Sequence, residues 1–230
     1  MRKSNRYWIE LNSQTVQDVV DRVYESYDRF FKKISKRPPK TKKWKDFKSI
    51  VFTQSGWKID GTGTANIKTG IGFFDHMLEA FAKHSFIDLT LSCKGDTHID
   101  FHHSVEDVGI VLGQALRASI YPIECVERYG NAVVVMDEAA VECALDLSNR
   151  AYLVYEVDME GKVGEFDVEL AEEFFRALIV NAGISAHIVA RRGENKHHLL
   201  EAAFKAFAVA LRRSLVKNER AGIPSTKGVL

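Results

Sequence analysis

The chain has 230 residues, room for one large domain or two small ones, and its 46% apolar content with only 4 prolines points to packed globular structure rather than disorder. No apolar run approaches the roughly twenty residues that cross a bilayer, and Met1 to Ile9 lacks the apolar core of a signal peptide, so a cytoplasmic chain with no membrane partner is expected. The net charge of +1 conceals an asymmetry: residues 1–58 hold 15 Lys and Arg against 6 Asp and Glu, a net of +9, whereas residues 59–230 hold 17 against 25, a net of −8.

Taken in chain order, residues 12–35 space Val16, Val19, Val20, Val23, Tyr27, Phe30 and Phe31 at three- and four-residue intervals, which predicts an amphipathic helix capped by Ser13. A basic loop follows over 36–45, where Pro38 and Pro39 exclude a helix. One or two short strands are expected over 49–59, ending in the turn Asp60-Gly61-Thr62-Gly63. Helices are then expected over 73–84, 102–120, 170–181 and 197–216, with Gly183 closing the third. Strands are expected over 87–93, 131–135, 141–147, 151–157 and 184–190. Cys93, Cys125 and Cys143, odd in number and without CxxC spacing, read as buried reduced thiols.

The arrangement repeats. Helix, strand, polar turn and a helix opened by His-His-x-x-Glu occur twice, at His102-His103-Ser104-Val105-Glu106 and at His197-His198-Leu199-Leu200-Glu201, with the two pairs 95 residues apart. An α+β fold follows, made of two similar halves (about 59–125 and 126–230), each a small sheet with helices packed on one face. A basic helical segment, residues 1–58, precedes this body at 59–230.

On a helix, residue i+4 lies about 40° from i and about 60° from i+1, so each Glu sits between its two histidines on one face. Adjacent histidines diverge by about 100°, which suits two ions better than one. With His76 on the preceding helix and His187 on a strand, the candidate ligands are His76, His102, His103, Glu106, His187, His197, His198 and Glu201. They divide into two sites of three His and one Glu, allowing for completion by a neighbouring copy. Mixed imidazole and carboxylate suits Mn, Fe or Zn, and spacing does not choose among them.

Gly70-Ile71-Gly72-Phe73-Phe74-Asp75-His76-Met77-Leu78, Gly95-Asp96-Thr97-His98-Ile99-Asp100, both His-His-x-x-Glu segments and the terminal Pro224-Ser225-Thr226-Lys227-Gly228-Val229-Leu230 resemble the imidazoleglycerol-phosphate dehydratase family. The resemblance runs from about Asp60 to the end. It implies a pseudo-twofold, ribosomal-protein-S5-domain-2-like fold and the dehydration of imidazole glycerol phosphate to imidazole acetol phosphate in histidine biosynthesis. Two Mn(II) ions per active site would hold the azole ring at its two nitrogens and stabilise developing charge. It further implies self-association through trimers into a 24-subunit shell, with sites formed between subunits. Substrate binding is assigned by resemblance to His84, Arg128, Arg150, Lys205, Ser225, Thr226 and Lys227. Asp75 and Glu79 flank a ligand histidine, and Asp75 is expected to orient it. His98 reads as structural or solvated.

The family's opening strand carries a glutamate implicated in proton abstraction. Counting back with the family's spacing lands near Ile50, and no glutamate occurs between Glu25 and Glu79. Tyr7-Trp8-Ile9-Glu10-Leu11, the helix after it, the Lys-Pro-Pro-Lys loop and Phe52-Thr53-Gln54-Ser55-Gly56-Trp57-Lys58 resemble instead the N-terminal part of OrfB-type insertion-sequence transposon proteins, which are RNA-guided nucleases. A chimera is therefore expected, natural or artificial, joined near Lys58 to Gly63. Three functions remain open in order: a dehydratase impaired by the missing glutamate, a catalytically dead metal-dependent assembly, and a nucleic-acid binder acting through residues 1–58.

Overall fold

The computed structural model describes residues 61–227. The expected helix over 12–35, the basic loop, the strands over 49–59, the boundary at 58/59 and the last three residues of the tail lie outside the described residues.

The described chain runs β1 (Ala65–Lys68), α1 (Gly72–Ser85), β2 (Leu89–Ser92), α2 (His102–Ile120), β3 (Tyr129–Met136), β4 (Ala139–Asp146), β5 (Tyr152–Glu156), β6 (Lys162–Val163), β7 (Phe166–Asp167), α3 (Glu169–Ala182), β8 (Ser185–Arg192) and α4 (Lys196–Ser214). The repeat is visible in this order. β1 pairs parallel with β2 across the 14-residue α1, and β5 pairs parallel with β8 across the 14-residue α3. Parallel neighbours require such a crossover, which a helix supplies. Each unit then closes with a 19-residue helix opened by His-His, α2 or α4. An antiparallel β3–β4 hairpin joins the second unit, giving the strand order β3-β4-β8-β5.

Local chemistry sets the starts of the two His-His helices. The Asn195 side chain accepts from the His197 and His198 N–H groups, and the Asp100 carboxylate accepts from His102 N–H at 2.9 Å. At the other end of the repeat, α3 stops where Gly183 takes the left-handed conformation, with φ of 68°.

Helix α4 lies across one face of the sheet and also packs against α1. The two halves share a core of stacked aromatic rings: Phe74 and Phe81 from α1, Phe174 and Phe175 from α3, Phe204 and Phe207 from α4, all fully buried. Phe174 stacks on Phe204 at 5.2 Å and Phe175 meets Phe204 at 4.8 Å. Helices α2 and α3 approach closely because glycines line the contact: a Cβ at Gly109 would stand 2.8 Å from the Ala177 Cβ and from the Phe174 carbonyl oxygen. On the sheet face away from α4, Tyr129, Val133, Val135 and Tyr152 are mostly exposed, and the register puts His187 of β8 on that same face.

Three short strands were not expected from sequence. β1 has four residues and a single buried side chain, Ile67, so it carries no alternating pattern of its own. Its strand character comes from pairing with β2, and Asp88 fixes its entry by accepting from the Thr62 and Thr64 N–H groups, both at 2.9 Å. The β6–β7 ladder is two residues on each side, below the length at which periodicity is legible. The helix expected over 102–120 has those bounds, and the remaining elements differ from expectation by one or two residues at their ends.

Candidate functional site

The repeat brings one ligand cluster together within the described residues. His76, on the second turn of α1, faces the first turn of α4, where His197 and Glu201 are one helical turn apart. Glu201 Oε2 lies 3.1 Å from His197 Nε2 and 3.5 Å from His76 Nε2, and the three ligand atoms fall within 4.8 Å of one another. The other carboxylate oxygen, Oε1, receives Lys205 Nζ at 2.6 Å, again one turn along α4. Burial pushes the Glu201 carboxyl up, but the Lys205 ammonium, with His197 and His76, outweighs it and holds the group below its ordinary value. Glu201 is buried where α4 packs against α1.

The second histidine of each pair turns away, as the divergence of neighbours on a helix requires. The His197 and His198 rings stand at 79° with centroids 6.2 Å apart, and those of His102 and His103 at 83° and 6.3 Å. His198 Nδ1 meets Glu138 Oε2 at 2.7 Å, with Asp137 Oδ2 3.7 Å from Nε2. His103 Nδ1 meets Asp96 Oδ2 at 3.2 Å. Each carboxylate raises the affinity of its histidine for a proton, and the His198 bond with the Asn195 N–H lowers the Glu138 carboxyl to about 2. His102 and His187 are exposed and Glu106 is half-buried. His102, His103, Glu106, His187 and His198 join no cluster of three or more ligand groups among the described residues. Asp75, expected to orient His76, is bonded elsewhere: its Oδ1 accepts from Thr69 N–H at 2.8 Å and Thr69 Oγ1 at 2.6 Å, bracing the entry to α1. Glu79 and His98 are exposed.

A second locus gathers cationic and hydroxyl groups. Arg128, Ser148, Arg150, Ser225, Thr226 and Lys227 line an open cavity of about 690 Å³. Arg128 is 11% exposed and binds Asp146 through two bonds, Nε to Oδ1 at 2.7 Å and Nη2 to Oδ2 at 3.0 Å, while Nη1 donates to the Pro224 carbonyl at 2.6 Å. Three of its five N–H groups are thus committed to fixing the C-terminal tail, and two remain for a ligand. The Arg150 side chain makes no hydrogen bond or ion pair with another described residue. Lys205, assigned by resemblance to the same anion, does not line this cavity but stands at Glu201. Burial, reinforced by Lys205 and Arg212, lowers the affinity of His84, two turns beyond His76, for a proton below its ordinary value.

The sequence profile of the family described as imidazoleglycerol-phosphate dehydratase matches residues 69–211, which include His76, both His-His pairs and Arg128. The chain belongs to this family. The imidazoleglycerol-phosphate dehydratase of Aliarcobacter butzleri (strain RM4018) is 72% identical over 172 residues, covering 75% of this chain and 90% of the relative. That of Campylobacter hominis is 70% identical over 173 residues, covering 75% and 91%. Among solved structures, the imidazoleglycerol-phosphate dehydratase of Staphylococcus aureus superposes with a TM-score of 0.66 at 42% identity, over 70% of this chain and 92% of that one. The Pyrococcus furiosus structure, a complex with (S)-C348, gives 0.67 at 38% identity, over 79% and 95%. The fold is therefore the imidazoleglycerol-phosphate dehydratase fold, α+β with two similar halves. No helix among the described residues is long and apolar enough to cross a membrane.

The donor set fits a transition metal of the kind the imidazoleglycerol-phosphate dehydratase resemblance implies. Donors held about 2.1 Å from one ion stand roughly 3–4 Å apart, which the two Glu201 contacts satisfy. Sequence reasoning missed Asp96 and Glu138. Asp96 stood inside a quoted motif, but Glu138 lies in a β-turn 60 residues from His198, and no spacing rule links the two.

Proposed function

We propose that this chain removes water from imidazole glycerol phosphate to give imidazole acetol phosphate, a hydro-lyase step of histidine biosynthesis. One observation carries the reading: His76 from the first half converges with His197 and Glu201 from the second on a single carboxylate oxygen. The carbon-bound proton to be removed is barely acidic, so the substrate's azole ring must accept electron density. Manganese ions, when bound by His76, His102, His103, Glu106, His187, His197, His198 and Glu201, supply that withdrawal as Lewis acids. The site is completed between copies of the chain, which accounts for ligands that meet no others within one copy. The exposed sheet face bearing His187, Tyr129, Val133, Val135 and Tyr152 supports self-association.

The chain's own groups divide the remaining work. Lys205 holds Glu201 ionised and in place. Arg150, the free N–H groups of Arg128 and the Ser225-Thr226-Lys227 tail take the phosphate by charge-assisted bonds. His84 is available to the substrate as a hydrogen-bonding group. Activity is expected to be low, because the family's spacing puts its proton-abstracting glutamate near Ile50 and no glutamate occurs between Glu25 and Glu79.

Purified protein reconstituted with Mn(II) is expected to form imidazole acetol phosphate, and His197→Ala to abolish it. Tight Mn(II) binding without any product would instead select the catalytically dead, metal-dependent assembly. A separate reading of residues 1–58 as a nucleic-acid-binding segment, similar to OrfB-type proteins, is supported by their net charge of +9. RNA binding that weakens steeply with salt and vanishes when these residues are removed is the expected result.

A further inference from the structure

In both halves, the second histidine of the His-His pair has its Nδ1 occupied by a carboxylate. His198 Nδ1 meets Glu138 Oε2 at 2.7 Å, and His103 Nδ1 meets Asp96 Oδ2 at 3.2 Å. The two carboxylates reach this position by different routes. Asp96 comes from the turn leading into α2, seven residues before its histidine, whereas Glu138 comes from the β3–β4 turn, sixty residues before its own. A contact that merely survived duplication would use the same segment twice. Here unrelated segments deliver the same chemistry to equivalent atoms.

That chemistry is specific. An imidazole facing a carboxylate through Nδ1 carries its proton there, so Nε2 is left with its lone pair exposed and with raised basicity. His76 and His197 are arranged otherwise, both offering Nε2 to Glu201.

Glu138 is itself held before any ion arrives. Its Oε1 accepts from the backbone N–H groups of Asn195 at 2.8 Å and Glu194 at 3.3 Å, which leaves Oε2 for His198. The seam between the hairpin turn and the start of α4 is tight: Gly193 has φ of 142°, and a Cβ there would stand 2.9 Å from the Ala139 Cβ. Asp137, beside Glu138, is exposed and 3.7 Å from Nε2, so it is free to move aside.

We propose that Glu138 and Asp96 are positioning residues, one for each half, that fix the tautomer and ring direction of His198 and His103 so that both present Nε2 to a metal ion. The proposal rests on the reading of those two histidines as ligands. Asp96, with its longer contact, is expected to have the smaller effect.

The test uses the full chain and Mn(II) alone, with free ion counted by its EPR signal during titration. Glu138→Gln keeps an acceptor for the backbone N–H groups, so it preserves the seam while weakening the hold on His198; Glu138→Ala removes both. Glu138→Gln and Asp96→Asn are expected to weaken Mn(II) binding by about 10- to 100-fold, to alter the EPR line shape of the bound ion, and to leave the metal-free protein folded, with its circular-dichroism spectrum and cooperative unfolding retained. His198→Ala and His103→Ala are expected to lose an ion outright. If both histidine variants lose an ion while Glu138→Gln and Asp96→Asn bind as tightly as the parent, the positioning roles are overturned and the ligand reading stands. If the histidine variants also bind as the parent does, the ligand reading fails and the proposal falls with it.

Discussion

Glu201 divides its two oxygens between different duties: Oε2 faces the two imidazoles and Oε1 faces the Lys205 ammonium. The carboxylate is 9% exposed and the ammonium 22%, so neither charge is fully hydrated. Glu201→Ala is therefore expected to act twice. It should remove a metal donor, and it should leave Lys205 half-dry without its partner, costing about 1–3 kcal/mol in the metal-free protein. Urea unfolding without metal reads the second effect and Mn(II) titration the first. Asp88, which is not part of the metal cluster, offers a cleaner pH probe. The Thr64 and Thr62 N–H groups bonded to it lower its carboxyl below the ordinary value. A carboxyl depressed in the folded state contributes stability above its unfolded value, and that contribution is lost as pH falls through the folded value. Asp88→Asn is thus expected to be less stable than the parent near neutrality, with the two unfolding curves converging as the solution is acidified into and below the carboxylate range.

At the level of elements, the repeat makes the aromatic cluster the joint between halves. Phe204 stacks on Phe174 and also touches Phe175, so one side chain of α4 bears on two of α3. Phe204→Ala should cost about 3–5 kcal/mol and lower Tm by roughly 6–20 °C, measured by thermal unfolding at fixed protein and metal concentration. Gly109→Val should also destabilise, since the helices of the α2–α3 contact have no room to part without opening the core. These long helices were legible in sequence because each buries a stripe wide enough to impose a 3.6-residue period. β1 was not, because one inward residue, Ile67, establishes no period and its pairing partner lies more than twenty residues on. β6 and β7 were hidden for the same reason, each having only two residues.

Across the whole molecule, His76, His197 and Glu201 were marked as candidates by the sequence, and their grouping was not. The duplicated His-His-x-x-Glu motif marked the residues, but only the packing of α1 on α4 brings His76 to His197 and Glu201, and only the β3–β4 turn brings Glu138 to His198. Lys205 was assigned to an anion from resemblance, and its bond to Glu201 depends on a helix position that the assignment ignored. By the family's spacing a glutamate is expected near Ile50, and none occurs between Glu25 and Glu79. Among the described residues, the metal cluster and the arginine cavity are assembled from residues 76–227. Restoring the acid should therefore raise turnover without changing what binds. Ile50→Glu is expected to increase kcat by about 10²- to 10⁴-fold, the usual contribution of a placed general base, while Mn(II) affinity and KM stay near those of the parent. Steady-state kinetics of both proteins under saturating Mn(II) decides it. A parent already turning over at the rate of its relatives, with no gain in the variant, would mean that another group on this chain removes the proton.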